Sequence, residues 1–142
     1  MEEKSRAALT AAAADCVPRL HFAGITDRPQ EYFAAADVFC LPSYREGFGT
    51  TIIEAAAAGV PAIGARVYGI TDAIVEGETG LLFEAGDVQQ LALSMRTLAG
   101  DANLRRRMGE NARARAVRDF SAAVVTAALL EYYEKLLAHR AD

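Results

Sequence analysis

Apolar residues follow two alternating patterns along most of the chain. Short apolar runs, of the length typical of buried strands, occur at residues 20–23, 38–41, 60–63 and 81–83. Between them, apolar residues recur at helical spacing in segments with helix start and stop signals. Strands separated by helices are typical of βαβ units and of a parallel sheet. The pattern therefore predicts an α/β, doubly wound fold.

Polar capping residues and glycines mark the predicted helices. In the first of them, Gln30 completes a capping box with Asp27, and Tyr32 and Phe33 are expected to face inwards. Gly100 ends the fourth, and the pattern after it is helical only, which predicts a helical tail. The predicted helix starts are Asp27, Gly49, Thr71, Asp87, Leu104 and Ser121.

The beginning of the chain is unusual for this fold class. Residues 6–14 form an alanine-rich helical pattern, whereas a doubly wound domain normally begins with a strand and a phosphate-binding turn. Gly47 and Gly49 give only G-x-G, with Ile52 where a third glycine would stand. Either the sheet is unusually small or the first βα unit is missing, and we favour the second. Residues 1–142 are accordingly interpreted as one N-terminally truncated domain.

Composition narrows the possible partners. A hydrophobic content of 52% is enough for a core, and the net charge of −4 argues against nucleic acid or an anionic membrane as the main partner. No apolar run is long enough to span a membrane. One basic stretch is interpreted as a solvated helix face, with a membrane-surface or phosphate patch as the alternative. Its arginines are Arg105, Arg106, Arg107, Arg113, Arg115 and Arg118.

The two cysteines do not suggest a disulfide framework. Cys16 and Cys40 lie in different segments without CxxC spacing, and Cys40 lies within an apolar run, which predicts a buried thiol. Because there is also no signal peptide, we expect a reducing, cytoplasmic setting.

The loop after the second apolar run carries the chemistry. It follows a predicted parallel strand, so it lies at the carboxyl end of the sheet, where such sheets bind ligands. Gly47 and Gly49 allow a tight turn and a close approach of ligand to backbone. The amides of Gly49, Thr50 and Thr51 then form the unpaired first turn of a helix, which favours a phosphate or pyrophosphate.

Two glutamates flank this turn. Glu54 lies roughly 6 Å beyond Thr50, at ~1.5 Å per residue, and is placed to accept two ribose hydroxyls. Glu46 precedes the helix, near whatever is attached beyond the phosphates. A lone glutamate, or a lone G-F-G turn, is more often structural. Their combination favours a site for a sugar–diphosphate–nucleoside.

The same stretch resembles a known family. Glu46-x7-Glu54, with Gly-Phe-Gly inside it, matches the E-x7-E motif of the retaining glycosyltransferases of family 4. Four further segments resemble that family in order: residues 22–24 its F-x-G loop, residues 36–43 the strand before the motif, residues 54–63 its E-A-x-A-x-G-x-P-V-I continuation, and residues 76–82 its G-x-T-G-L-L turn. The resemblance runs from about Leu20 to Tyr133.

The resemblance implies a fold and a set of roles. The chain would be the Rossmann-like C-terminal half of a GT-B enzyme, a parallel sheet flanked by helices. Glu46 would be catalytic: it would contact donor-sugar hydroxyls and help to stabilise charge at the anomeric carbon. The resemblance implies no required metal and no other cofactor, and the sequence has no D-x-D pair.

The implied donor-binding residues divide by the part of the donor that they contact. Glu54 would bind the ribose, and the backbone of Gly24 and Ile25 would flank the base. The remaining contacts would be backbone amides on the sugar and phosphates from Gly47, Phe48 and Gly49, and diphosphate contacts from Thr50 and Thr51.

Two departures from the family pattern limit the comparison. An Arg and a Lys that usually pair with the diphosphate have no match before Leu20, and the acceptor-binding domain is absent from the 142 residues. Where the family commonly has G-G-x-x-E, this chain has Tyr68 for a glycine and Asp72 for the glutamate. Tyr68 either lines the donor-sugar pocket or merely packs, and the sequence leaves both open.

The resulting hypothesis is a transferase. It would move a hexose, of the N-acetylhexosamine type, from a UDP-linked donor to a glycan or lipid-linked acceptor with retention, in lipopolysaccharide, O-antigen or capsule assembly. The full enzyme would be cytoplasmic, with peripheral contact at the inner membrane face as an option. The alternative is a non-catalytic nucleotide-sugar-binding module, inactive as an isolated fragment. A nucleotide-sugar epimerase is more remote, because no further acid and base carboxylates are identifiable.

Overall fold

A computed structural model describes residues 2–12 and 19–138 of the chain. Cys16 and residues 13 and 14 of the predicted first helix lie outside this part. The elements in chain order are α1 (Glu2–Ala12), α2 (Pro29–Ala35), β1 (Phe39–Leu41), α3 (Thr50–Ala57), β2 (Ala62–Ala65), α4 (Ile70–Ala73), β3 (Gly80–Phe83), α5 (Val88–Gly100), α6 (Ala102–Phe120) and α7 (Ala122–Ala138).

The described strands form one parallel sheet in the order β1-β2-β3. Phe39 is opposite Ala62, and Ala62 is opposite Gly80, so all three strands run in the same direction. Gly80 has to be small, because a Cβ there would lie 2.2 Å from the carbonyl oxygen of Ala62. A helix follows each strand, as in βαβ units. The predicted α/β class, with a parallel sheet flanked by helices and a helical tail, is confirmed.

The core lies between β2 and the helices around it. Every residue of β2 is buried, as expected for the central strand of a parallel sheet. The largest fully buried side chains of the core are those of Ile52, Ile63, Ile70 and Leu98. Helix α6 packs against α3 through small residues, and Gly109 allows contact because a Cβ there would lie 2.1 Å from the carbonyl oxygen of Gly59. The core therefore involves α3 and the strands that flank the motif loop.

The predicted strand at residues 20–23 is wrong. These residues are exposed and have no strand pairing, although Leu20 and Phe22 gave the segment its apolar character. An apolar run becomes a strand only beside another strand, and among the described residues β1 pairs with β2 alone. The predicted run at 60–63 is also shifted, because the strand begins at Ala62, after Pro61.

Helix starts were predicted with mixed success. Asp87 caps α5 by accepting hydrogen bonds from the amides of Gln89 and Gln90, as expected. Asp27 does not cap α2, because the N-cap of this helix is Arg28. The amide of Arg28 donates to the hydroxyl of Thr26, at 3.0 Å. Of the two aromatic residues expected to face inwards, Phe33 is half-buried but Tyr32 is exposed.

The basic stretch is not only a solvated face. Arg105 donates to the carbonyl oxygens of Leu98 and Ala99 at the end of α5, and Arg115 donates to those of Asp72 and Ala73. Both side chains are mostly buried, whereas Arg106 and Arg118 pair with neighbouring carboxylates at the surface. The prediction is therefore wrong for two of the arginines, because periodicity does not reveal contacts between distant segments.

Helix α7 begins directly after Ser121, as predicted, and the Ser121 carbonyl accepts from the amide of Val125 at 3.0 Å. All of its side chains are exposed, and its apolar positions, such as Leu129 and Leu136, are about half exposed. No helix in the described residues is both long enough and apolar enough to cross a membrane.

Candidate functional site

The loop between β1 and α3, residues 42–49, lies at the carboxyl edge of the parallel sheet. The segments after β2 and β3, residues 66–69 and 84–87, emerge at the same edge. Tyr44, in the loop after β1, lies beside Gly86, in the segment after β3. A Cβ on Gly86 would be 3.4 Å from the Tyr44 ring. Open parallel sheets bind ligands at this edge, so the fold puts the motif loop where a ligand site is expected.

Gly49 makes the turn from this loop into α3. It has φ 66° in the left-handed region and is the N-cap of the helix. A Cβ there would lie 3.1 Å from Cδ1 of Ile52 and 3.8 Å from Cγ of Glu46, so a side chain would be both strained and crowded. Gly47 differs, because it has open space around it and no positive φ. The predicted tight turn therefore depends on Gly49.

The first turn of α3 faces outwards. Thr50 and Thr51 are exposed, and the turn contains no acidic residue that would oppose an anion. The first amides of a helix have no carbonyl partner within it, and the helix dipole adds positive potential there. These amides and hydroxyls have the chemistry that a diphosphate requires.

Glu46 and Glu54 lie on opposite sides of this turn in different surroundings. Glu46 is half-buried, and its Oε1 accepts from the amide of Gly47 at 3.2 Å. Glu54 is exposed on α3 and borders an open hollow of about 440 Å³ between α2 and α3. The other residues of this hollow are Pro29, Gln30, Phe33, Ala57 and Ala58.

Gly69 is a site residue that the sequence analysis missed. It is the N-cap of α4, with φ 85°. A Cβ on Gly69 would lie 2.4 Å from the carbonyl oxygen of Gly47 and 2.9 Å from that of Glu46. Only a glycine allows α4 to press against the backbone of Glu46 and Gly47. The glycine in Val-Tyr-Gly-Ile was a signal for a special backbone position, but its contact partner was not readable.

The aromatic residues near the loop have separate roles. The Phe48 ring packs against Phe120, at the end of α6, with centroids 5.5 Å apart. Phe48 was predicted to act through its amide, and its ring also ties the loop to α6. Tyr68 is 80% exposed, so its ring does not pack into the core of the described residues.

Gly24 and Ile25, predicted to flank a base, lie in the exposed segment before α2. Gly24 has φ 76° and open space around it, and Ile25 is 97% exposed. Neither lines the hollow beside Glu54. The structure therefore brings Glu46, Gly47, Phe48 and the start of α3 together. It does not place Gly24 and Ile25 in one hollow with Glu54.

The other titratable group of interest near the site is Cys40, in β1. It is a free, half-buried thiol, and burial raises its pKa above the ordinary value. Thiolate chemistry depends on a lowered pKa, so Cys40 is a packing residue rather than a nucleophile.

The fold and the comparisons now define a class of protein. The sheet, its flanking helices and its helical tail are those of the C-terminal domain of GT-B glycosyltransferases. Anabaena Alr3699/HepE, solved in complex with UDP, superposes with a TM-score of 0.89 at 25% identity, over 94% of this chain and 38% of that chain.

The chain belongs to the family described as glycosyl transferases group 1, whose model matches residues 2–115. The capsular polysaccharide biosynthesis glycosyltransferase CapM of Staphylococcus aureus is 38% identical over 109 residues, 77% of this chain and 29% of that protein. The N-acetyl-alpha-D-glucosaminyl L-malate synthase of Bacillus anthracis is 40% identical over 119 residues, 83% of this chain and 31% of that protein. The chain thus spans less than a third of the length of either relative.

Proposed function

We propose that this chain is the donor-binding part of a retaining glycosyltransferase and that its ligand is a nucleotide diphosphate sugar, with UDP favoured. The observation that carries the proposal is the arrangement around the start of α3. An exposed, anion-favouring helix start lies between Glu46, at the carboxyl edge of the sheet, and Glu54, one helical turn further on. The UDP complex of the Anabaena neighbour supports the choice of base.

In the proposed site each part of the donor has its own contacts. Glu54 accepts hydrogen bonds from the ribose hydroxyls, and Gly24 and Ile25 flank the base. The amides of Gly47, Phe48 and Gly49, together with Thr50 and Thr51, hold the phosphates and the sugar. Glu46 acts at the sugar, where its carboxylate stabilises the charge that develops at the anomeric carbon when the bond to the diphosphate breaks.

For the whole protein we propose transfer of a hexose to a glycan or lipid-linked acceptor, with retention, in the assembly of a bacterial surface polysaccharide. The Staphylococcus aureus relative bears a capsule-related name, which supports this setting. The name of the Bacillus anthracis relative supports an N-acetylhexosamine as the sugar. In this proposal a second domain binds the acceptor, and the Arg and Lys that pair with the diphosphate belong to a part of the donor-binding domain outside residues 1–142.

The second candidate is a nucleotide-sugar-binding module without transfer activity of its own. It is favoured by the described residues, whose proposed contacts around the start of α3 are all to the donor. A GT-B active site lies in a cleft between two domains. The 142 residues alone are accordingly expected to bind nucleotide and to transfer nothing.

A titration of the chain with UDP and GDP, followed by calorimetry or amide chemical shifts, tests the binding proposal. We expect saturable binding of UDP, and a loss of about tenfold in Glu54→Gln, because about 1.4 kcal/mol of charge-assisted hydrogen bonding disappears. Glu134→Gln, on the exposed α7, is the control and should bind like the parent. Equal binding by both variants, or no binding of either nucleotide by the parent, would contradict the assignment.

The catalytic assignment is tested in the complete enzyme that carries this chain. Glu46→Ala should slow transfer about 100-fold or more while the fold remains intact, because a group that stabilises transition-state charge typically contributes about 10²–10³ in rate. Unchanged turnover would remove Glu46 from the mechanism. Transfer by the isolated 142 residues would remove the need for a second domain.

A further inference from the structure

The backbone of Glu46 to Phe48 is supported on two sides by segments that are distant in sequence. On one side Gly69, at the start of α4, touches the carbonyl groups of Glu46 and Gly47. On the other side the Phe48 ring packs against Phe120, at the end of α6. The position of this loop therefore depends on both α4 and Phe120.

One side chain contacts both supports. Arg115, on α6, donates through Nη1 to the carbonyl of Ala73 and through Nη2 to that of Asp72, each at 2.6 Å. Its guanidinium carbon also lies 5.0 Å from the centre of the Phe120 ring, in cation–π geometry. The Arg115 side chain is only 19% exposed, and its bond to the Ala73 carbonyl is partly buried, while that to the Asp72 carbonyl lies at the surface.

Helix α4 has particular need of such an external contact. It is four residues long, a single turn, and a turn of this length has little stability of its own. The guanidinium fork fits the carbonyls at its carboxyl end, where a positive charge also complements the helix dipole. Asp119 lies 3.7 Å from Nε of Arg115 and pairs more closely with Arg118, so it leaves both Nη groups on the carbonyls.

We propose that Arg115 is a positioning residue for the Glu46 loop. Through the Asp72 and Ala73 carbonyls it holds α4, and hence Gly69, against the Glu46–Gly47 backbone. Through Phe120 it holds the surface against which Phe48 packs. The functional consequence, precise placement of Glu46 at the donor sugar, rests on the proposed function. The structural consequence, a loop whose order depends on Arg115, does not.

Arg105 provides a matched control. It is on the same helix, its side chain is 22% exposed, and it also donates to two backbone carbonyls, those of Leu98 and Ala99 at the end of α5. Those carbonyls belong to α5 and not to α4 or the Glu46 loop. Arg115→Met and Arg105→Met therefore each remove two bonds to backbone carbonyls; the first also removes the contact with Phe120, and the second removes an ion pair with Asp37. Only the first should affect the loop.

Amide NMR spectra and hydrogen exchange of the two Met variants decide the structural proposal. In Arg115→Met we expect shifted Gly47 and Gly49 amide signals and at least fivefold faster exchange of the Ala73 and Ile74 amides, which are bonded to Gly69 and Ile70. Arg105→Met should leave these amides unchanged. Arg115→Lys, which keeps the charge but not the fork, should be intermediate and covers the case in which the Met variant does not fold. Parent-like loop amides in Arg115→Lys and Arg115→Met, or equal effects in Arg105→Met, would overturn the proposal.

Binding measurements add the functional consequence. In Arg115→Met the affinity for UDP-glucose should fall at least threefold more than that for UDP, because the displaced loop carries Glu46, which contacts only the sugar, whereas Glu54 binds the ribose of both ligands. If the parent does not bind UDP, the proposed function fails and the NMR comparison still decides the role of Arg115. If the parent binds both ligands and Arg115→Met leaves their ratio unchanged, Arg115 does not position the loop for the sugar.

Discussion

The two glutamates of the motif are eight residues apart, yet the molecule supports them very differently. Glu46 is half-buried in a loop that Gly69 contacts on one side and Phe120 on the other. Glu54 is exposed and borders an open hollow whose far wall is α2. Helix α2 is a seven-residue helix without a buried residue. The sugar end of the proposed site is thus held by contacts with two distant segments, whereas its nucleoside end lies beside an exposed helix.

This contrast changes how the isolated chain should behave. A site that is already ordered binds without an ordering cost, whereas a site formed by exposed segments must order them on binding. Because its expected role is to bind the ribose, Glu54 is the glutamate that would be expected to act in the isolated chain. The structure indicates that Glu46 is the better ordered of the two. The Glu46 loop is preformed, whereas the contacts expected around the base are not.

The largest expected effect comes from breaking the support of Glu46. Gly69→Ala puts a methyl group 2.4 Å from the carbonyl oxygen of Gly47, on a residue whose φ of 85° suits only glycine. We expect the free energy of unfolding to fall by about 2–4 kcal/mol. Chemical denaturation measures this loss, and amide shifts of Gly47 and Gly49 report the displacement of the loop.

The matched control for this prediction is Gly77→Ala. Gly77 has φ 77°, but a Cβ there has no atom within 4 Å. It should lose only the backbone contribution, about 1–2 kcal/mol. If the two variants lose the same stability, the contact between Gly69 and the Glu46 loop has no energetic importance and the contrast between the two glutamates weakens.

A smaller effect is expected on the Glu54 side. Phe33, half-buried on α2, makes an edge-to-face contact with Phe39 of β1, with centroids 5.5 Å apart, and lines the hollow beside Glu54. Phe33→Ala should lower the free energy of unfolding by about 1–2 kcal/mol, less than for a fully buried phenylalanine. Exchange of the Ala36 amide, which is bonded to Phe33, should accelerate.

Tyr32→Ala is the comparison for that prediction. Tyr32 is the neighbouring residue on the same helix and is 52% exposed, so its loss should change stability by no more than about 0.5 kcal/mol. If Phe33→Ala also disturbed the Gly47 and Gly49 amides, the two ends of the site would be coupled. The independence of the two ends would then be wrong.

Local signals explain why much of the fold was predictable. The strands at β1 and β3 and the cap at Asp87 follow from short apolar runs and from a side chain that bonds its own neighbouring amides. The run at residues 20–23 has the same local character but is not a strand. Its state depends on a lateral partner, which is a property of the assembled sheet and not of four residues.

The site divides in the same way. The motif, its turn and the start of α3 were readable because they are contiguous, and Gly49 has the left-handed φ that its position at the turn requires. Gly69 and Arg115 were not readable as parts of the site. Gly69 meets the loop across more than twenty residues of chain, and Arg115 reaches Ala73 across 42. Such contacts leave no periodic or motif signal in a single sequence.

The smallest effect on stability is expected at Tyr68, where the question concerns specificity. Tyr68 precedes Gly69, so it stands beside the point where α4 meets the Glu46 loop, and it is 80% exposed. Tyr68→Ala should change the free energy of unfolding by less than about 0.5 kcal/mol. If its ring stacks on the donor sugar, a contact of about 0.5–1.5 kcal/mol, by analogy with aromatic pairs, is lost. The affinity for UDP-glucose should then fall about two- to tenfold while that for UDP stays unchanged.

Tyr68→Phe keeps the ring and should behave like the parent. A Phe variant as weak as the Ala variant would mean that the hydroxyl, and not the ring, contacts the sugar. Equal UDP-glucose binding by all three proteins would exclude Tyr68 from the sugar end of the site and leave Glu46 as its polar side chain.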